Sequence, residues 1–294
     1  MDISVIIPVY NGGKTIPELF RRLKEELEHN YIYEIIYVYD CGRDNSWSVI
    51  TDIIKNNPGK VKGFRLSRNY GQHNAILYGI KEARGDFIIT LDEDLQHDPS
   101  LIRKLTEKQK EGNFDVVYAR FRKLKHPGLR IGTSELLRRI LKRIVHRLYP
   151  GYSPFRLIKN EIAKKIIFLK NSYTFIDGYI GMVTENIGDI DAEHFRRADG
   201  VSSYSYFKLF RHAIMIAIAY SPLKKWILTS ALIFNSLSVI LFFVYGFITD
   251  YSSIRLLGIL IGIPGIILLL CGLFAEAVHY RGMKTNLMPA EIFE

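Results

Sequence analysis

The sequence predicts an α/β protein: a doubly wound, mainly parallel sheet followed by interfacial helices and a two-helix transmembrane hairpin. Three observations predict it. Residues 1–119 alternate short, β-branched apolar runs with stretches of helical apolar spacing, the pattern of parallel strands covered by helices on both faces. Residues 120–147 hold ten Lys/Arg against one acid, Glu135. Trp226–Ile248 and Leu256–Ala275 contain no charged residue. At ~1.5 Å per residue, each is long enough for a ~30 Å hydrocarbon core. The expected organisation is a sheet core over 1–119, a membrane-surface region over 120–225, and the hairpin with a short tail over 226–294.

The first half reads in order. Ser4–Val9 is apolar and β-branched, a strand, and Lys14–His29 has helical spacing. Tyr33–Tyr39 (YEIIYVY) is the second strand and Ser46–Asn56 the second helix. Lys62–Leu66 reads as a strand and Asn74–Ala83 as a helix. Asp86–Leu91 is the fourth strand, Pro99–Glu111 a helix, and Asp115–Ala119 (DVVYA) the fifth strand. In such sheets ligands bind outside the carboxyl ends of the strands. Every polar cluster of this half lies at such an end: Tyr10–Gly13, Asp40–Asp44, Ser67–Asn74 and Asp92–Asp98.

The second half faces a membrane. Leu136, Leu137, Ile140, Leu141, Ile144, Val145 and Leu148 recur at helical spacing, with Arg138, Arg139, Lys142, Arg143 and Arg147 between them. A basic amphipathic helix of this kind lies in a membrane interface and attracts anionic headgroups. Tyr204–Tyr220 is a second, aromatic candidate. The link Thr249–Arg255 is short, so the two apolar spans form a hairpin. Lys208, Arg211, Lys224 and Lys225 precede it, and Arg281 and Lys284 follow. The positive-inside bias then places both termini and the N-terminal half in the cytoplasm, in a bacterial inner membrane. The start, MDISVIIPVYNGG, reads as a strand rather than a signal peptide. Cys41 and Cys271 are far apart, so no disulfide framework is expected. No nucleic-acid partner is expected; a homo-oligomer is, with a tetramer as first choice.

The stretch IITLDEDLQHDP, 88–99, carries the chemistry. Asp92, Glu93, Asp94 and Asp98 crowd one strand end in a chain of net charge +10. Like charges this close repel, so a cation is expected among them. Asp92-x-Asp94 suits Mg2+ or Mn2+, which take oxygen ligands and complete their shell with phosphate and water. A metal so held bridges a diphosphate and neutralises it as it leaves.

SVIIPVYN, the D-x-x-x-D of YDCGRDNSW, LSRNYGQHNAILYGI and ARGDFIITLDEDLQHDP resemble the family 2 glycosyltransferases with a GT-A fold. SPFRLI at 153–158, H-x-x-R-x-x-G-x-S-x-Y at 194–204 and the hairpin look like the polyprenyl-phosphate glycosyltransferases. The resemblance implies transfer of a hexose, with inversion, from a nucleotide sugar to a polyprenyl (undecaprenyl) phosphate. The nucleotide is UDP first, with dTDP and GDP open. It places Pro8, Val9, Tyr10, Asn11, Asp40, Arg68, Asn69, Asp92 and Gln96 at the nucleotide sugar, Asp40 accepting a base imide N–H. Asp92 and Asp94 bind the metal. Asp94, Arg130 and Arg197 are implied in catalysis. Arg130, Ser153, Arg156, Arg197, Ser202 and Tyr204 are implied at the acceptor phosphate.

The chain departs from the family pattern in places. Tyr39-Asp40 stands where two acids are usual, Cys41-Gly42 where Gly-Ser is usual, and Gly12-Gly13 where two acids often follow Asn11. Pro154 replaces an Asp that is a candidate base. A phosphate monoester needs no base, because its second ionisation lies near pH ~6. The alternatives are a membrane-anchored transferase acting on a lipid or glycan hydroxyl, which calls for a positioned base, and a non-catalytic scaffold homologue.

Overall fold

The computed structural model describes residues 2–121, 147–169, 173–193, 215–216, 219–220, 223–246, 263–274 and 290–293. The basic stretch 122–146 and Arg130, Arg197, Ser202 and Tyr204 lie outside the described residues. The chain forms two compact units. One comprises 1–170, 174–207 and 285–294, the other 171–173 and 208–284.

The first unit is built on an eight-stranded sheet. Its strands are β1 (Ile3–Val9), β2 (Tyr33–Tyr39), β3 (Val61–Leu66), β4 (Phe87–Thr90), β5 (Val116–Phe121), β6 (Arg156–Lys159), β7 (Ile187–Ala192) and β8 (Ala290–Phe293). Its helices are α1 (Ile16–Leu27), α2 (Ser46–Asn56), α3 (Gln72–Glu82), α4 (Leu101–Gly112), α5 (Asn160–Ile167) and α6 (Ile176–Val183). The strand order is β7-β5-β6-β4-β1-β2-β3-β8. β1 through β4 are parallel to one another, as are β5 and β7; β6 and β8 run antiparallel to the strands they pair with.

β1 and β2 are buried at every residue, as expected of strands covered on both faces. Pro8 is tolerated in this central strand for a local reason. Ile6 accepts the Leu91 N–H across the β4 side, and pairing with β4 ends at Thr90. Pro8 faces the same side one pleat later, where no ladder partner needs its missing N–H. Helix α1 buries Ile16, Leu19, Leu23 and Leu27, one stripe at helical spacing, and carries Pro in its first turn.

Three strands were not foreseen: β6, β7 and β8. Each is short or polar. β6 and β8 have four residues, and β7 (IGDIDA) carries two Asp and a Gly. The sheet therefore extends past residue 119 and takes in 290–293, expected to be a tail.

Two buried ion pairs tie the unit together. Glu34, 1% exposed, accepts Lys62 Nζ (2.9 Å), Ser4 Oγ (2.6 Å) and the Arg84 N–H (2.7 Å). Arg156, 1% exposed, is paired with Asp177 in the first turn of α6. Lys164 of α5 donates to the carbonyls of Ile80, Lys81 and Ala83, capping α3.

In the second unit, α7 (Leu223–Gly246) and a helical segment 263–274 (α8) are described. The two meet where a Cβ on Gly265 would fall 2.8 Å from Asn235 Oδ1. Trp226, Leu232, Ile233, Phe234, Leu237 and Ile240 of α7 are exposed, as are Ile263, Ile266, Ile267, Leu270, Leu273 and Phe274 of α8. Among the described residues no helix is long and apolar enough to cross a membrane. The α7 side chains at 223–224, 228, 238–239 and 241–246 lie outside that set.

Candidate active site

Four loops leave the carboxyl ends of β1, β2, β3 and β4, and hydrogen bonds lace them together. The β1 loop meets the β2 loop. The Gly12 N–H donates to Ser46 Oγ (2.9 Å), the Gly13 N–H to Asp44 Oδ2 (2.8 Å), and the Arg43 N–H to Asn11 Oδ1 (2.6 Å). Ser46 in turn donates to Asp44 Oδ1 (2.5 Å). Burial alone pushes Asp44 upward, but the bonds from Ser46 and Gly13 prevail and hold its carboxyl below the ordinary value. The loop packs closely here: a Cβ at Gly12 would meet Glu93 Cγ at 2.5 Å, and one at Gly13 would meet Asn45 Oδ1 at 2.3 Å, so those side chains would have to shift.

Each of the four loops contains a left-handed residue: Asn11 (φ 59°), Cys41 (φ 55°), Gly71 (φ 89°) and Leu95 (φ 62°). Asn and Gly adopt this conformation readily; Cys and Leu do so at a cost. Such strain concentrates at functional sites. Cys41 occupies the position where the family pattern has Gly. Tyr39, where that pattern has an acid, donates to the Gly42 carbonyl (2.6 Å) and packs on Trp47 at 5.7 Å. It braces the β2 loop.

Asp40 lies deep in the β2 loop. It is 2% exposed, and its two oxygens accept the N–H groups of Tyr70 (2.6 Å) and Gly71 (2.8 Å). The carboxylate grips the β3 loop. Burial pushes it up to about 6, and the two amide bonds oppose that rise. On the gripped loop, Arg68 lies over the Tyr70 ring at 4.8 Å, and Arg68 and Asn69 are exposed.

The β4 loop holds the acids. Gln72 Nε2, at the start of α3, donates to Asp92 Oδ1 (2.5 Å). The Gln96 N–H donates to Asp94 Oδ1 (3.1 Å), and the Tyr10 N–H reaches Glu93 Oε1 (3.4 Å). His97 is buried and stacked on Phe121 at 4.9 Å. Asp92, Asp94 and Gln96 are half-buried. Among the described residues no group of three or more His, Cys, Asp or Glu is arranged to hold a metal. Two carboxylates fit a hard cation that completes its shell with diphosphate and water oxygens.

The structure thus brings Tyr10, Asn11, Arg68, Asn69, Asp92, Asp94 and Gln96 to one end of the sheet. Pro8 and Val9 are buried in β1 beneath them. Two residues expected at the acceptor lie in the core. Ser153 is buried, with Oγ between the carbonyls of Ala119 (2.7 Å) and Phe155 (2.9 Å). Arg156 is committed to Asp177 and to Thr90 Oγ1 (3.0 Å), and Tyr118 OH shares the Asp177 carboxylate (2.9 Å). Both serve the core. Gln72, Asp44 and Ser46 were not anticipated as site residues, although all three stand inside the quoted motifs.

The family model for glycosyl transferase family 2 matches residues 4–170. The chain belongs to glycosyltransferase family 2. It is 31% identical over 254 residues to the undecaprenyl-phosphate 4-deoxy-4-formamido-L-arabinose transferase of Shewanella sediminis (strain HAW-EB3), covering 83% of this chain and 76% of that protein. Two solved structures share the fold. Glucosyl-3-phosphoglycerate synthase from Mycobacterium tuberculosis, in complex with Mn2+, UDP-glucose and phosphoglyceric acid, has a TM-score of 0.54 at 13% identity. The match covers 74% of this chain and 77% of that one. S. aureus TarS in complex with UDP-GlcNAc has a TM-score of 0.51 at 18% identity, covering 74% and 66%. The glycosyltransferase matches the GT-A-like α/β fold expected of it.

Proposed function

We propose that this glycosyltransferase moves a sugar, with inversion, from a nucleotide sugar to a polyprenyl phosphate at the membrane surface. UDP is the first-choice nucleotide. The observation that carries the reading is the lacing of the four strand-end loops, which gathers Asp92 and Asp94 with Tyr10, Asn11 and Arg68 at one end of the sheet. The Shewanella relative's name supplies the acceptor class.

Asp92 and Asp94 would hold Mg2+ or Mn2+, and the metal would supply positive charge against the donor diphosphate. The acceptor phosphate is already an oxyanion at neutral pH. The protein's task is then to bring two anions together and steady the leaving group. Arg130 and Arg197 are proposed for that task, with Ser202 and Tyr204 beside the acceptor. A hydroxyl acceptor would instead require a base. Pro154 stands where the family offers one, and the nearby Asp177 is locked to Arg156.

Membrane attachment through the hairpin is part of this reading. The exposed apolar side chains of α7 and α8 support it, because contiguous exposed apolar surface marks a membrane or partner contact. β8 supports it too. Residues 290–293 pair with β3, so any crossings of a bilayer between the two strands must be even in number. A hairpin satisfies that condition, and the basic flanks favour the cytoplasmic side for both ends.

The test is incubation of the detergent-purified chain with undecaprenyl phosphate and a panel of nucleotide sugars, with Mn2+, Mg2+ or EDTA. Mass spectrometry is expected to find a lipid-linked sugar only with metal. Donor hydrolysis with no lipid product would overturn the acceptor, and a product formed equally in EDTA would overturn the metal.

A further inference from the structure

We infer that Gln72 is a positioning residue for Asp92, and that Asp40 acts one step behind it by fixing the turn from which Gln72 projects. The inference rests on the proposed role of Asp92 at the metal and diphosphate.

Three contacts form the chain of support. Gln72 Nε2 donates to Asp92 Oδ1 at 2.5 Å. This charge-assisted bond fixes one oxygen of the carboxylate and so sets its plane. Gln72 is the first residue of α3, directly after Gly71 at φ 89°. Its direction is therefore set by that turn. The turn is gripped by Asp40, whose two oxygens hold the Tyr70 and Gly71 N–H groups at 2.6 and 2.8 Å. Asn74 Nδ2 adds a bond to the Tyr70 carbonyl at 2.8 Å.

The residues run from the end of β2, through the β3 loop, to the end of β4. Asp40 itself is 2% exposed, and each of its oxygens accepts one N–H of the turn. Its use is to hold the loop that holds the ligand. A metal carboxylate left free to turn loses rotamer freedom on binding; one already hydrogen-bonded loses less. Partners of this kind change metal affinity by roughly 10–100-fold when removed. The same logic explains why a neutral amide, Gln, suits position 72. A cation there would compete with the metal for Asp92, and an acid would repel it.

The experiment uses the full chain in detergent. Mn2+ affinity at saturating UDP is read from the electron paramagnetic resonance signal of free Mn2+. UDP affinity in EDTA is read separately by calorimetry. Gln72→Leu is expected to weaken Mn2+ binding roughly 10-fold or more while leaving UDP affinity in EDTA unchanged. Asp40→Asn is expected to weaken Mn2+ binding in the same way, and the double variant to be no worse than the poorer single one, because the two act in series. Unchanged Mn2+ affinity in Gln72→Leu, with Mn2+ binding lost in Asp92→Asn, overturns the inference alone. Unchanged Mn2+ affinity in Asp92→Asn overturns the metal reading beneath it. Equal losses of UDP and Mn2+ affinity in Gln72→Leu would mean general loop damage, and also count against positioning.

Discussion

Asp40 and Cys41 are adjacent residues that each cost the fold stability, and each makes a prediction. Asp40 is held at about 6 by burial, above the ~3.9 of an unfolded Asp. Between those values the folded state binds more protons than the unfolded one. Stability therefore falls as pH rises from about 4 to about 6 and is flat above, a cost of order ~3 kcal/mol at neutral pH. Urea denaturation of the detergent-solubilised protein is expected to show this fall, and Asp40→Asn to remove it. Cys41 sits at φ 55°, where a side chain costs about 1–2 kcal/mol. Part of that is returned by glycine's unfolded-state entropy. Cys41→Gly is expected to raise stability by about 0.5–1 kcal/mol, seen as a higher Tm. At this scale the sequence was only partly informative. The acids of the β4 loop were legible because four carboxylates together need a cation. The grip of Asp40 on Tyr70 and Gly71 was not, because its partners lie thirty residues on. The pairing of Arg156 with Asp177 was illegible for the same reason: an Arg that binds phosphate and an Arg that pairs with a buried Asp look alike until the partner is known.

The elements that were legible are those whose signal is local. β1 and β2 are unbroken apolar runs, and α1 carries one clean apolar stripe. β6 and β8 are four residues long and stand only because neighbouring strands pair with them, a context that propensity does not encode. β6 also anchors α6 through Arg156 and Asp177. Removing one member of a buried pair leaves an uncompensated charge and costs about 3–5 kcal/mol. Arg156→Met is expected to lower stability by that order in thermal denaturation, and Arg156→Met with Asp177→Leu to recover most of the loss. A double variant as unstable as the single one would mean that Tyr118 and Thr90 depend on the ion pair for more than charge balance.

On the scale of the whole molecule, the sheet unit presents the site at one end of its strands, and the second unit presents exposed apolar helices. The chain returns from those helices to add β8 to the sheet. A protease added outside spheroplasts is expected to spare residues 1–225 and a C-terminal epitope alike; cleavage of either one would contradict the hairpin. The sequence conveyed the apolar spans and the basic flanks, but not that the C-terminus closes the β3 edge. In the proposed reaction the acceptor phosphate brings its own nucleophile, so that the protein supplies position and charge rather than a base. The most direct measurement compares undecaprenyl phosphate with undecaprenol as acceptors for the wild-type chain, at one donor and saturating Mn2+, by mass spectrometry of the extracted lipid. The account predicts a lipid-linked sugar from the phosphate and none from the alcohol. Comparable product from the alcohol would contradict it.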